Sequence, residues 1–131
     1  MLLIHIDLRS REPIYEQLVN NIKELIFSGI LQPDEKLPSV RELASQLTIN
    51  PNTIQKAYKE LENLGYIYSA RGRGNFVMPV DDKSGVKNSV ELLKKITELV
   101  KEANYVGISK EFIKQIIEDV YRKKIDKGGI E

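Results

Sequence analysis

The chain has 131 residues, of which 41% are hydrophobic and 30% charged, with a formal net charge of +1 and no cysteine. This length holds one compact domain and an appendage, and a near-neutral balance gives no argument for nucleic acid from overall charge. Without cysteine there is neither a disulfide nor a thiolate metal site, in keeping with a reducing cytosol.

The opening MLLIHIDLRSRE carries a short apolar run that ends in charge. It is too short and lacks the basic start of a signal peptide, and no later run is long enough to span a membrane. The expected setting is cytoplasmic, with no membrane partner. Leu2 to Ile6 suit a short strand. Pro13 then opens a helix with Ile14, Leu18, Ile22, Leu25 and Ile26 on one face, closed by Ser28-Gly29.

Leu37 to Leu64 predicts two helices joined by a tight turn. Ser39 and Glu42 stand at S-x-x-E spacing, so each side chain can satisfy an orphan amide at a helix start. Val40, Leu43, Ala44 and Leu47 follow as an apolar stripe. After the turn at Thr48-Ile49, Asn50 caps the next helix, and Pro51 takes its first position, where the missing N–H costs nothing. Two capped helices around a short turn make a helix-turn-helix.

The second of these helices has two unlike faces. Ile54, Ala57, Tyr58, Leu61 and Leu64 form one buried stripe, and Asn52, Gln55, Lys56 and Lys59 line the other side. No Asp or Glu occurs between Leu43 and Lys59. Asn and Gln can pair with adenine edges in the major groove, and Lys suits guanine or phosphate. Polar residues at this spacing are more often just a solvated helix face, so the context has to decide.

Gly65 fits a helix-ending left-handed position. A hairpin follows, with Tyr66-Ile67-Tyr68 and Phe76-Val77-Met78 joined through Ala70-Arg71-Gly72-Arg73-Gly74. Two arginines at such a tip, with no acid from Gly65 to Val80, suit phosphate contact or a narrow minor groove. The alternative is an ordinary exposed hairpin. From Lys36 to Arg73, six basic residues stand against three acids, a modest local excess that limits sequence-independent affinity.

The stretch 79–85 (Pro-Val-Asp-Asp-Lys-Ser-Gly) predicts a polar linker between a domain at 1–78 and a tail at 86–131. The tail predicts two helices. Ser89 or Asn88 caps the first, which turns Val90, Leu93, Ile96, Val100 and Ala103 inward, with Leu92 and Leu99 widening the stripe. The pattern breaks at Gly107. Ser109 caps the second, which buries Phe112, Ile113, Ile116, Ile117, Val120 and Tyr121, before a polar, fraying end from Lys123 to Glu131. Two such helices are too small for a core or a ligand pocket of their own, and apolar surface on that scale marks an interface. A two-fold dimer seam built from Val90, Leu93, Ile96, Val100, Phe112, Ile116 and Val120 is the favoured reading. The other is that the helices fold back on their own domain.

From about Pro13 to Val77 the chain resembles the winged-helix DNA-binding domain of GntR-type transcriptional regulators, in the segments PIYEQLVNNIKELIFSGIL, KLPSVRELASQL, NPNTIQKAYKELENLGYI and RGRGNFV. The N-P-N-T-x-Q-K-A-Y form and the short tail are similar to the YtrA-type subfamily. The resemblance implies a mainly α fold with a small β-wing, followed by a two-helix dimerisation tail. It further implies that Ser39 and Arg41, then Asn52, Thr53, Gln55 and Lys56, and Arg71, Gly72 and Arg73 in the wing touch phosphate or base. Asn50 and Lys59 join these candidates as the cap and the outer end of the reading helix. Many members carry arginines where Pro51 and Gln55 stand, so no operator sequence transfers. Asp34 replaces a usual turn glycine, which Asp tolerates better than most residues.

Two other classes compete. An enzyme lacks support: His5 is the single histidine, in an apolar run, and neither D-x-D-x-D-G nor H-E-x-x-H occurs. A winged helix that binds protein calls for apolar or acidic residues where Asn52, Gln55, Lys56 and Lys59 stand. The reading is a homodimeric, sequence-specific DNA-binding regulator on an inverted-repeat operator, with no cofactor or metal. The repressor sign rests on the resemblance alone, and no residue pattern names an effector.

Overall fold

A computed structural model describes residues 4–80 and 82–124, with side chains at all of these except 82–88 and 123–124. The chain forms two compact units, 1–79 and 80–131. In the first, helices α1 (Ile14–Phe27), α2 (Val40–Leu47) and α3 (Pro51–Leu64) precede an antiparallel hairpin of β1 (Ile67–Ala70) and β2 (Gly74–Val77). Pairing runs Ile67 to Val77, Tyr68 to Phe76, Ser69 to Asn75 and Ala70 to Gly74. A bond from the Met78 amide to the Tyr66 carbonyl continues the ladder by one step.

The apolar stripes read from the sequence converge in one core. Leu18, Ile22, Leu43, Ile54, Leu61, Ile67 and Val77 are buried in it, with Leu31 and Leu37 from the connections. Ala57 has no exposed surface, which lets α3 lie close against its neighbours, and a larger side chain there would overpack the contact. Leu64, expected on the buried stripe, is 47% exposed, because it occupies the last position of α3, where the chain turns away at Gly65 with φ +89°. Val19 and Gln17 are buried although the predicted stripe omitted them.

Gln17 explains a second difference. Its Nε2 donates to the carbonyls of Asp7 (3.0 Å) and Glu12 (2.8 Å), and its Oε1 accepts from the Asp7 amide at 2.8 Å. Asn21 likewise donates to the His5 carbonyl and accepts from the His5 amide. Ile4 to Asp7 is therefore not a strand: its backbone groups end on side-chain amides of α1 instead of on another strand. The rest of the expected strand, Leu2 and Leu3, lies outside the described residues.

The connection before α2 is strapped to the wing. Asp34 donates its amide to Val77, Val77 donates to Glu35, and Leu37 donates to Asn75, with a bridge between Lys36 and Phe76. Asp34 holds φ +65°, and its carboxylate accepts a 2.6 Å bond from the Tyr68 hydroxyl.

The second unit holds α4 (Asp82–Tyr105) and α5 (Lys110–Lys124). The helix α4 starts six or seven residues before the expected cap at Asn88 or Ser89, inside the stretch read as linker. A single glycine costs a helix interior about 1 kcal/mol, so the polar composition around Gly85 does not stop it. Between the helices the Ile108 amide bonds back to Ala103, and the Ser109 hydroxyl accepts from the Phe112 amide at 3.1 Å, the expected cap. Residues 125–131 of the expected frayed end lie outside the described residues, and Lys123 and Lys124 belong to α5. The apolar residues expected inward are not buried within the chain. Val90, Leu93, Ile96, Val100, Phe112, Ile116 and Val120 are 43–64% exposed.

Candidate nucleic-acid interface

The start of α2 is fixed by a reciprocal cap. The Glu42 amide donates to Ser39 Oγ at 3.1 Å, and the Ser39 amide donates to Glu42 Oε1 at 2.8 Å. The Ser39 backbone amide, and then its hydroxyl, hold the Glu42 carboxyl below the usual carboxylate range. Arg41 is exposed on the same first turn.

Thr48 closes α2 with φ +55°, and Asn50 Oδ1 accepts from the Asn52 amide at 2.8 Å to start α3 behind Pro51. That cap occupies the Asn50 carbonyl oxygen and leaves its amide nitrogen as the outward group. Along α3, Asn52, Gln55, Lys56 and Lys59 are all exposed, and Thr53 is half-buried at the edge. At about 100° per residue the first four share an arc about 100° wide, opposite Ile54, Ala57, Tyr58 and Leu61. The side chains that hold the helix therefore point away from those that can read.

In the wing, Arg71, Gly72 and Arg73 are exposed at a turn closed by the Arg73 amide on the Ala70 carbonyl at 2.9 Å. Gly74 holds φ +119°, a conformation that favours glycine, and a Cβ there would lie 3.1 Å from Cε of Lys36. The Lys36 stem thus crosses the base of the wing. The wing is anchored on its other side by Ser69, whose hydroxyl lies 3.2 Å from both Glu62 Oε2 and Asn75 Oδ1.

Three residues outside the predicted set shape this surface. The buried Tyr58 donates its hydroxyl to the Pro38 carbonyl at 2.7 Å, tying α3 to the entry of α2, and burial raises its pKa. Tyr15, on α1, sits under Lys56, with the ammonium 3.9 Å from the ring centroid. Lys36 flanks the wing. The apolar pattern accounts for Tyr58 and leaves Tyr15 off the stripe read on α1, so nothing in the sequence marks their polar or aromatic roles. Lys36 was visible as a charge without a place.

A capped helix pair, an acid-free polar arc and a basic hairpin strapped to the same core form a winged helix-turn-helix. The sequence profile described as "Bacterial regulatory proteins, gntR family" matches residues 14–77. The chain is also 44% identical to the HTH-type transcriptional repressor YtrA of Bacillus subtilis, over 97% of each chain. The chain belongs to the GntR family. Among solved structures, a Listeria monocytogenes protein titled a transcriptional antiterminator is 38% identical, covering 95% of this chain and 93% of its own, with a TM-score of 0.77. The DNA-binding domain of AraR, solved in complex with an operator, is 30% identical with a TM-score of 0.53, covering 59% of this chain and 99% of its own. The GntR relatives are transcription regulators, and no helix among the described residues here is long and apolar enough to cross a membrane.

Proposed function

We propose that this chain is a cytoplasmic repressor that binds an inverted-repeat operator as a homodimer. In this reading α3 enters the major groove with Asn52, Gln55 and Lys56 toward the bases. Ser39, Arg41 and Lys59 meet phosphate, and Arg71 to Arg73 reach the backbone or the minor groove. The observation that carries it is the exposed, acid-free arc on α3, flanked by a basic wing built on the same core. A relative named as a repressor and a similar domain crystallised on operator DNA support it.

The dimer rests on the tail. About twenty to thirty buried residues a side are typical of a stable interface, and twelve exposed large apolar side chains on the described parts of α4 and α5, the seven proposed seam residues among them, are a reserve for one. Ile96, Val100, Ile108 and Ile113 also line an open cleft of about 510 Å³ that apolar side chains of a second copy would fill. Selection of bound fragments from random duplex DNA tests the whole reading. The expected result is one inverted repeat with half-site centres about one helical turn apart, and strong weakening when five base pairs are inserted between them. Enrichment of a single unpaired half-site, or affinity unchanged by the insertion, would refute the homodimeric part.

A further inference from the structure

We propose that Tyr15 is a positioning residue for DNA reading: its ring holds the Lys56 ammonium on the outward arc of α3 and keeps it from Glu60. The inference rests on the DNA-binding reading above and adds to it a residue from α1, a helix to which that reading assigns no contact.

The geometry is specific. Lys56 Nζ lies 3.9 Å from the Tyr15 ring centroid, well inside the range in which an aromatic face attracts a cation. Tyr15 is half-buried and packs against the core, so the platform is fixed while the lysine is exposed. Glu60 stands one turn beyond Lys56 on the same helix and is the natural competitor for its charge. Lysine preceding glutamate is the weaker order for such a pair. Among the described residues the one ion pair within 4 Å is Lys101–Glu98, so Lys56 is not paired with Glu60. The charges of Glu16 first, and of Glu60 to a smaller extent, raise the pKa of the Tyr15 hydroxyl.

The choice between ring and carboxylate has a direction along the helix. The N-terminal turns of a recognition helix meet the base edges. An ammonium drawn to Glu60 is carried toward the C-terminal end and neutralised there. An ammonium held on Tyr15 keeps its full charge and its donors, since a π face takes none of its hydrogen bonds. A long side chain fixed in this way also has less freedom left to lose on binding.

The test uses the full chain and one duplex that the unaltered chain enriches from a random-sequence pool. Tyr15→Leu is expected to weaken binding about two- to five-fold, the span of an exposed cation–π contact, while Tyr15→Phe, which keeps the ring, stays near the parent. In a Lys56→Ala background Tyr15→Leu should have no further effect, and Glu60→Gln added to Tyr15→Leu should restore part of the loss. An independent readout needs no substitution: the Lys56 ε-methylene protons should show a ring-current upfield shift that persists in the DNA complex. Equal losses with and without Lys56, loss in Tyr15→Phe matching that in Tyr15→Leu, tighter binding by Tyr15→Leu, or disappearance of the shift on DNA would each overturn the proposal. If the unaltered chain enriched no duplex at all, the DNA-binding reading would fall first and this inference with it.

Discussion

Replacing Tyr58 by Phe tests how α3 is held to the rest of the domain. The ring keeps its buried place, and the bond from its hydroxyl to the Pro38 carbonyl (2.7 Å) is lost. Pro38 is half-buried, so water can partly re-satisfy its carbonyl, and the cost should sit near about 1 kcal/mol. The pH dependence is more discriminating. Burial raises the folded-state pKa of Tyr58 above the ordinary tyrosine value. Its neutral form therefore contributes stability that is fully present below pH about 10 and is lost as pH rises toward the folded-state value. Over that window the unfolded chain releases a proton that the folded chain keeps, and the parent loses about 1.4 kcal/mol per pH unit relative to Tyr58→Phe. The parent's advantage should vanish within about one unit above the unfolded tyrosine pKa and reverse beyond it. Urea unfolding followed by circular dichroism at pH 8, 10 and 11 measures this. Lysines and the other tyrosines titrate in both proteins and cancel. Curves that stay parallel across this range, or coincide at pH 8, would refute the account.

Ser39→Ala removes the side-chain half of the α2 cap and should lower the melting midpoint by about 4–8 °C. The depressed Glu42 pKa means that its capping contribution is present above the unfolded carboxylate pKa and lost as pH falls from there through the lower folded-state value, so Glu42→Gln should flatten the acid side of the stability profile. Asn52→Ala and Gln55→Ala should each relax base preference at particular operator positions by roughly 1–3 kcal/mol, as read by competition with single-base variants. Arg41→Ala and Arg71→Ala should weaken binding evenly and reduce the salt slope by about one per lost phosphate contact; unchanged slopes would make the wing a bystander. Ile96→Glu with Ile116→Glu should sediment as a monomer that still binds a half-site, with full-operator affinity down about 10²–10⁴-fold. A double variant that stays dimeric would place the seam elsewhere.

What the sequence disclosed follows from which signals are local. Ser39 with Glu42, Asn50 with Pro51, Gly65 and Ser109 are punctuation set by backbone geometry within a few residues, and each stands where its chemistry requires. The apolar stripes of α1 to α3 were legible because their periodicity survives packing. Gln17 was not, since a buried amide looks like a surface residue until its three bonds to Asp7 and Glu12 are seen. The strap from Asp34 to Leu37 onto β2 was hidden for a related reason: it is a pairing between segments about forty residues apart. Asp34 gave only a hint, as a residue tolerant of positive φ. The early start of α4 was missed because Pro79 to Gly85 has a linker's composition, and composition is a weak guide where helix propensity costs are small.

The arrangement of α3 separates two demands that usually conflict. A reading helix must present hydrogen-bonding groups that the fold leaves unsatisfied, yet unsatisfied groups destabilise a fold only when buried. Here Ile54, Ala57, Tyr58 and Leu61 anchor the helix, Asn50 and Gly65 finish its ends, and the Tyr58 hydroxyl sets it against α2. None of those jobs falls to Asn52, Gln55 or Lys59. Exposed and outside those tasks, they can be substituted without loss of the domain. Lys56 is the exception, because its ammonium is engaged by Tyr15 from a different helix. Under the proposed function, substitution at that position touches the fold and the DNA contact together, so a change in operator preference there would need Tyr15 and Lys56 to move at once.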